Sequence, residues 1–317
     1  MILAARGIQS ALEPAGPHAD RIGSLWDIFL VVSVVVFVLV MLALLAAVFH
    51  RRNHIADEEG NPKTALTVVT VASGITVVVL FALLIASVAT SRAIAFAPQN
   101  TVNMRLTGHQ WWWTVEYEHP DQSKRIVSAN ELYIPVGTPV HIRLRSTDVI
   151  HSFWVPNLHG KQDLIPARDG AIILQADRPG VFRGQCAEFC GLQHAKMAFW
   201  VTALPPAEFA QWAEQQRRPS RIPATEKQRK GYDVFMSSPC PLCHTIRGTD
   251  ASGNTAPDLT HFASRRSIAA GTLPNKRGYL AGWILDPQHI KPGSQMPPML
   301  LEKGDLDPLL DYLESLQ

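Results

Sequence analysis

The stretch Gly184-Gln185-Cys186-Ala187-Glu188-Phe189-Cys190-Gly191-Leu192-Gln193-His194-Ala195-Lys196-Met197 gathers two thiols, an imidazole and a thioether. Thiolate and thioether are soft ligands that favour copper, and imidazole suits the same metal. One Cys with two His and a weak Met would make a mononuclear blue-copper centre. A second Cys four residues on lets both sulfurs bridge a pair of coppers. Each copper then needs an imidazole. His194 supplies one, and His151, in Ser146-Thr147-Asp148-Val149-Ile150-His151-Ser152-Phe153-Trp154, is the candidate for the other. Two other readings of these residues remain open. Cys186 and Cys190 could form a disulfide, as oxidising compartments permit, or hold a structural zinc with two histidines. A thioredoxin-like pair requires Cys-x-x-Cys, and this spacing is one residue too long. Met197 favours copper, because zinc has little use for a thioether.

A second chemistry lies downstream. Cys240-Pro241-Leu242-Cys243-His244 carries the spacing of c-type haem attachment, two thiols for the vinyl groups and a following His for the iron. Pro292-Gly293-Ser294-Gln295-Met296-Pro297 offers a thioether as second axial ligand, with Met299 as its rival. Met/His ligation raises the haem potential. The two motifs use all four cysteines, leaving none for a structural disulfide framework. Such usage points to an electron carrier.

The elements that must position these groups read as follows. The chain has 317 residues, room for two domains plus membrane segments, and its net charge of +2 gives no reason to expect a nucleic-acid partner. Residues 1–24 form an arm with Pro14 and Pro17 and no signal-peptide pattern: a trimmed precursor end or a surface extension. Ile28–Phe49 and Ala65–Thr90 carry no charge and are long enough to cross a bilayer as helices, so residues 25–92 read as a transmembrane hairpin. Arg51, Arg52 and Lys63 place the connecting loop on the cytoplasmic side and both termini outside, although Arg6, Arg21, Arg92 and Arg105 weaken the asymmetry. Within 98–204, strands are expected at 101–107, 111–117, 131–134, 139–146, 171–175, 181–185 and 198–204, with turns at Pro135-Val136-Gly137 and Asp177-Arg178-Pro179-Gly180. Short strands separated by turn signals suggest a Greek-key sandwich or barrel. Ala207–Arg217 reads as a closing helix, Arg218–Pro223 as a semi-stiff linker within 205–224, and 225–317 as a helical module around the haem motif.

Taken together, the copper-type loop and its surroundings resemble subunit II of the haem-copper cytochrome c oxidases, in the CuA-containing form. Residues 225–317 resemble class I cytochrome c, so the whole resembles a caa-type fusion. The resemblance implies a multidomain membrane protein with a two-helix hairpin, an all-β cupredoxin-like domain and an all-α cytochrome c domain. It implies a binuclear CuA centre bridged by Cys186 and Cys190, with His151 and His194 as terminal ligands and Met197 as axial thioether. Glu188 would give copper its backbone carbonyl and offer its carboxylate to a magnesium or manganese shared with subunit I. Covalent haem c would be held by Cys240, Cys243, His244 and Met296. In the run Gly108–Trp113, Trp111 would be the residue through which electrons reach copper, while Trp112 and Trp113 pack. Asp163 and Arg168 would touch subunit I, with Ala167 standing where a glycine is usual. His159 reads as a surface histidine. Gly231 and Phe235, with Leu309 and Tyr312, match the crossing of terminal helices in class I cytochrome c. Pro257 would lie against the axial His, and Trp283 near a haem propionate. Charged groups near the second membrane helix (Asp57, Glu58, Glu59) have no assigned part in proton uptake.

The function so implied is electron input to a proton-translocating oxidase whose oxygen-reducing site is in subunit I. Its partners would be subunit I, further oxidase subunits, a donor such as a cytochrome c or cytochrome bc complex, and membrane lipid. Its place would be the bacterial plasma membrane, with both redox domains on the periplasmic side. The alternatives are the input subunit of a CuA-containing nitric oxide reductase and a non-redox copper-binding membrane protein. The haem motif argues against the latter. A quinol oxidase subunit is disfavoured, because quinol input needs no copper thiolate loop.

Overall fold

The computed structural model describes residues 7–53, 62–95 and 101–317. Arg6, Asp57, Glu58 and Glu59 lie outside the described residues. By contacts the chain divides into two units: Asp20–Phe96, and Met1–Ala19 together with Ala97–Gln317.

The first unit is a pair of long helices, α1 (Pro17–Asn53) and α2 (Pro62–Ala95). Helix α1 begins inside the stretch expected to be an irregular arm. Both helices are apolar on every face, with Leu39, Val78 and Phe81 each about three-fifths exposed. A soluble helix buries one stripe and wets the other, whereas uniform apolar exposure of this length requires lipid. Within the pair, Arg21 donates to the Ala93 carbonyl at 2.5 Å.

The second unit begins with a β-sandwich. One sheet runs in the order β3 (Ile126–Ala129), β2 (Trp112–Tyr117), β1 (Val102–His109), β5 (Val140–Ser146), β8 (Gly170–Leu174). The other runs β4 (Glu131–Pro135), β10 (Ala198–Leu204), β9 (Gly180–Cys186), β6 (His151–Trp154), β7 (Gln162–Leu164). Pairing is antiparallel except for β1 with β5 and β4 with β10. Alternation along β2 explains the core: Trp113, Val115 and Tyr117 are buried, and the intervening residues face outward. Across the sandwich, Trp113 meets Phe199 edge-on at 5.3 Å and Phe199 stacks on Phe153 at 4.9 Å.

Strands β3, β6 and β7 were not expected from sequence; each has only three or four residues, too short for a period-2 signal. The arm is not a loose extension either. Asn157, fully buried, receives Ser10 N–H on its side-chain oxygen and donates to the Gly7 and Glu13 carbonyls, and Ala15 N–H meets its backbone carbonyl at 2.7 Å.

Helix α3 (Pro206–Arg217) closes the sandwich by stacking Trp212 on Tyr133 at 4.4 Å and against Tyr117 at 5.2 Å. The helical module follows: α4 (Glu226–Ser237), the single turn α5 (Cys240–Cys243), a small ribbon of β11 (Ser267–Ile268) and β12 (Leu273–Pro274), α6 (Arg277–Leu285), the turn α7 (Pro287–Ile290) and α8 (Leu306–Ser315). A capping box at Thr225 and Gln228 starts α4. Helices α4 and α8 cross at Gly231, where a Cβ would fall 2.0 Å from the Pro308 carbonyl oxygen; only glycine permits that approach. Phe235 and Tyr312 pack beside the crossing with ring centroids 6.0 Å apart.

The stretch expected to be a semi-stiff linker is fastened down. Arg247 donates to the Gln216 and Arg217 carbonyls, His261 Nε2 to the Arg218 carbonyl, and Ser220 N–H to the Arg247 carbonyl.

Candidate metal centre and haem pocket

The loop between β9 and β10 brings the soft donors together at one end of the sandwich. Cys186 ends β9, its N–H bonded to the Met197 carbonyl at 2.9 Å, and Ala187 N–H is held by the Ser152 carbonyl. Cys186 Sγ lies 3.7 Å from Cys190 Sγ and 3.8 Å from His151 Nδ1. Cys190 Sγ lies 3.7 Å from His194 Nδ1 and 3.8 Å from Met197 Sδ. The Glu188 carbonyl oxygen is 3.2 Å from Cys186 Sγ. A disulfide requires about 2.05 Å between sulfurs, so the pair is not one, and all four cysteines are free. His151, Cys186, Cys190 and Met197 are buried. A buried, converging set of two thiols, two imidazoles and a thioether fits copper, and the inward thioether fits zinc poorly.

The surroundings orient these ligands. Asp148 accepts from His151 Nε2 at 2.8 Å, which turns Nδ1 toward the sulfurs, and it also accepts the Gln110 backbone N–H at 2.7 Å. A carboxylate behind a ligating imidazole fixes its tautomer and raises its basicity. Burial lowers the His151 pKa, but bonds to Cys186 and Asp148 outweigh it and raise the value overall. The hydrogen bond with Cys190, opposed by burial and joined by bonds from His151 and backbone, lowers the Cys186 pKa, and the same bond together with burial raises that of Cys190.

Trp111 belongs to the β1–β2 turn rather than the strand expected from residue 111 onward. Leaving the strand frees its ring from the alternation and lays it under the copper loop, 8 % exposed, with Nε1–H donating to the Cys190 carbonyl at 2.8 Å. Trp113 is core and Trp112 stacks on His109 at 4.3 Å. Glu188 lies exposed on the loop. Ala167 has φ +60°, the left-handed region that favours glycine, which explains why a glycine is expected there. Asp163 and Arg168 are both exposed. His159 is not a surface histidine: it is half-buried and stacks on His18 at 4.8 Å.

In the helical module, His244 Nδ1 contacts the Pro257 carbonyl at 2.7 Å. A carbonyl can only accept, so Nδ1 carries the hydrogen and Nε2 presents a lone pair suited to iron. Burial lowers the His244 pKa and keeps the ring neutral, as a ligand requires. Cys240 is half-buried and Cys243 exposed on the α5 turn. Met296 is half-buried and Met299 buried, both packing on the module's core, as does Trp283. Gln288 clasps the Met296 loop: its Nε2 donates to the Met296 and Ser294 carbonyls, and its Oε1 accepts from Gly293 N–H. The donor set and tautomer fit a covalently attached haem.

The two modules meet through built contacts. Glu131, 3 % exposed, accepts the backbone N–H groups of Arg266 and Ser267 at 2.7 and 3.2 Å. Trp200 Nε1 donates to Ser267 Oγ at 3.0 Å, Gln193 Nε2 to the Pro292 carbonyl at 2.8 Å, and Lys196 Nζ to the Ile290 carbonyl at 2.5 Å. Sequence reasoning missed Glu131, whose burial has no local signature. Asp148 did have one, its position three residues before His151.

Comparison with known proteins agrees with this division. Residues 118–204 match the family model for the periplasmic domain of cytochrome c oxidase subunit II, and residues 228–317 match cytochrome c. The chain is 36% identical to cytochrome c oxidase subunit 2 of Alkalihalophilus pseudofirmus, covering 97% of this chain and 91% of that protein. It is 27% identical to the Bacillus subtilis protein of the same description, covering 97% and 92%. Among solved structures, the periplasmic domain of subunit II of cytochrome oxidase of Bradyrhizobium japonicum is 30% identical, covering 38% of this chain and 97% of that domain, with a TM-score of 0.36.

Proposed function

Since the chain belongs to the cytochrome c oxidase subunit II family, we propose that it is the electron-input subunit of a caa-type oxidase, passing electrons from an external donor by way of haem c and a binuclear CuA centre to subunit I. As a subunit II with a cytochrome c domain it is part of an oxidase complex, and its two domains imply copper and haem c. Copper and haem, when bound, would supply the one-electron carriers.

What the chain's own residues do follows from their placement. Cys186, Cys190, His151, His194, Met197 and the Glu188 carbonyl would hold copper; Cys240, Cys243, His244 and Met296 would hold haem. The β-sandwich keeps water from the sulfurs, the helical module would enclose the haem, and the two apolar helices would anchor both to the bacterial plasma membrane on its periplasmic side. The exposed Glu188 carboxylate would offer an oxygen to magnesium or manganese at the contact with subunit I, hard ions that favour such a ligand. Asp163 and Arg168, also exposed, would touch the same subunit.

One observation carries the reading. Trp111 is bonded through its indole to the Cys190 carbonyl, and its own carbonyl accepts from Lys291, on the loop that leads to Met296. The decisive test is metal content with electron paramagnetic resonance of the oxidised protein. About two coppers per haem iron, with one unpaired electron shared by two copper nuclei, is expected. A single-nucleus copper spectrum, or zinc in place of copper, would overturn the binuclear assignment.

A further inference from the structure

Lys291 is an unusual lysine. It is 3 % exposed, and its Nζ donates to the carbonyls of Trp111 at 2.6 Å and Ala269 at 3.2 Å. Lysine is almost never fully buried unless its charge is met; here two main-chain carbonyls accept from it, and burial brings its pKa down to about 7. The contact spans the two modules: Trp111 underlies the copper loop, while Lys291 lies five residues before Met296.

Its neighbours are held in the same way. Lys196 grips the Ile290 carbonyl and Gln193 the Pro292 carbonyl, so residues flanking His194 fasten the chain on both sides of Lys291. Gly293, at φ +81°, sits over the indole; a Cβ there would lie 3.6 Å from Trp111 and 3.4 Å from Leu192. Gln288 then carries the fixed geometry onward to Met296.

We propose, on the electron-input reading above, that Lys291 is a positioning residue: its side-chain nitrogen ties the Met296-bearing loop to the Trp111 carbonyl and thereby sets the register between the haem pocket and the copper loop. The linker at Arg218–Pro223 can hold the modules near each other, but it lies far along the chain from this contact and cannot define their register. Removing the buried donor takes the partner from the Trp111 carbonyl, whereas the Ala269 carbonyl keeps Thr272 Oγ1, and the loop must shift to rehydrate the Trp111 oxygen.

The test uses the assembled oxidase carrying Lys291→Met, which keeps length and removes the donors, and Lys291→Arg, which restores a charged donor. Haem c is reduced rapidly and the transfer of the electron to copper is followed optically, because the transfer rate falls as the two centres are moved apart. The expected result for K291M is a rate severalfold below the parent, with the haem spectrum, haem potential and copper resonance unchanged and partial recovery in K291R. Independently of activity, hydrogen exchange of amides 290–296 should quicken in K291M while those of β9 and β10 do not. An unchanged rate and unchanged exchange in K291M overturn the assignment. If K291M assembles without haem or copper, K291Q and K291R are compared by the same two readouts, and equal values overturn it. Absence of haem-to-copper transfer in the parent itself would instead sink the electron-input reading, a separate failure.

Discussion

The copper end and the haem end of the periplasmic unit solve one problem, holding a redox centre rigid, by opposite means. At the copper end the candidate ligands come from separate strands of a sandwich: His151 from β6, Cys186 from the end of β9, and the rest from the loop that follows. At the haem end the candidate anchoring residues Cys240 and Cys243 share one helical turn that His244 caps, and α4 and α8 pack beside it. A centre assembled from distant strands depends on the whole fold and on the residues that aim each ligand. A centre stapled covalently depends on local sequence first.

That contrast can be broken most severely at the sulfurs. Cys186→Ser or Cys190→Ser is expected to abolish the binuclear copper signal while haem remains covalently attached. Cys240→Ala should abolish full covalent attachment and leave copper in place. Copper analysis, electron paramagnetic resonance and haem staining of the same preparations check both halves; loss of both centres from either substitution would mean the modules fold as one.

A smaller effect is expected at the helix crossing. Gly231→Ala puts a methyl into the Pro308 carbonyl, main chain that cannot swing aside, and should cost about 3 kcal/mol, at the upper end of overpacking penalties. Denaturation followed at the haem module should move while the copper signal at low denaturant persists.

Next comes the second layer of the copper site. Asp148→Asn leaves a neutral partner for His151 Nε2, and copper affinity should fall about 10- to 100-fold, the range for lost outer-shell carboxylates. Competition with a chelator measures it. Equal sensitivity to a single substitution in the haem module would blunt the comparison.

The mildest lever is pH. Burial, opposed by Asp148 and reinforced by His151, holds His109 down to about 4; burial and the neighbouring His18 do the same to His159. Both native values lie below the ordinary 6.5, so between 4 and 6.5 the unfolded chain binds more protons. Their contribution is complete above 6.5 and is lost as pH falls, about 1 kcal/mol for each imidazole by pH 6. His159→Gln should flatten the acid side of the stability curve; an unaltered slope would mean that His159 is already charged in the native state.

Much of this molecule could be read from sequence because the informative features were local. Apolar runs announced α1 and α2, Cys-x-x-Cys-His announced the haem turn, and the short span from Cys186 to Met197 held most of a copper site. Local spacing alone could not single out His151, since His109, His119, His141 and His159 lie in the same strand-rich region. It could not place Trp111, whose ring depends on the β1–β2 chain turning just before it, nor detect β6, too short to show alternation. It gave no hint that Asn157 pins the arm or that Arg218–Pro223 is bound down.

The sequence by itself therefore determined which chemical groups the protein has and which neighbours along the chain can share a metal or a haem, because spacings of two to four residues are fixed by backbone geometry. Only the tertiary structure decided how the two centres face each other. Glu131 reaching across to Arg266 and Ser267, and Lys291 reaching Trp111 from far along the chain, are contacts between residues with no local relation. The physical reason is burial: a lone carboxylate or ammonium reads as surface in any sequence, and only packing that removes water from it turns it into a fixed joint.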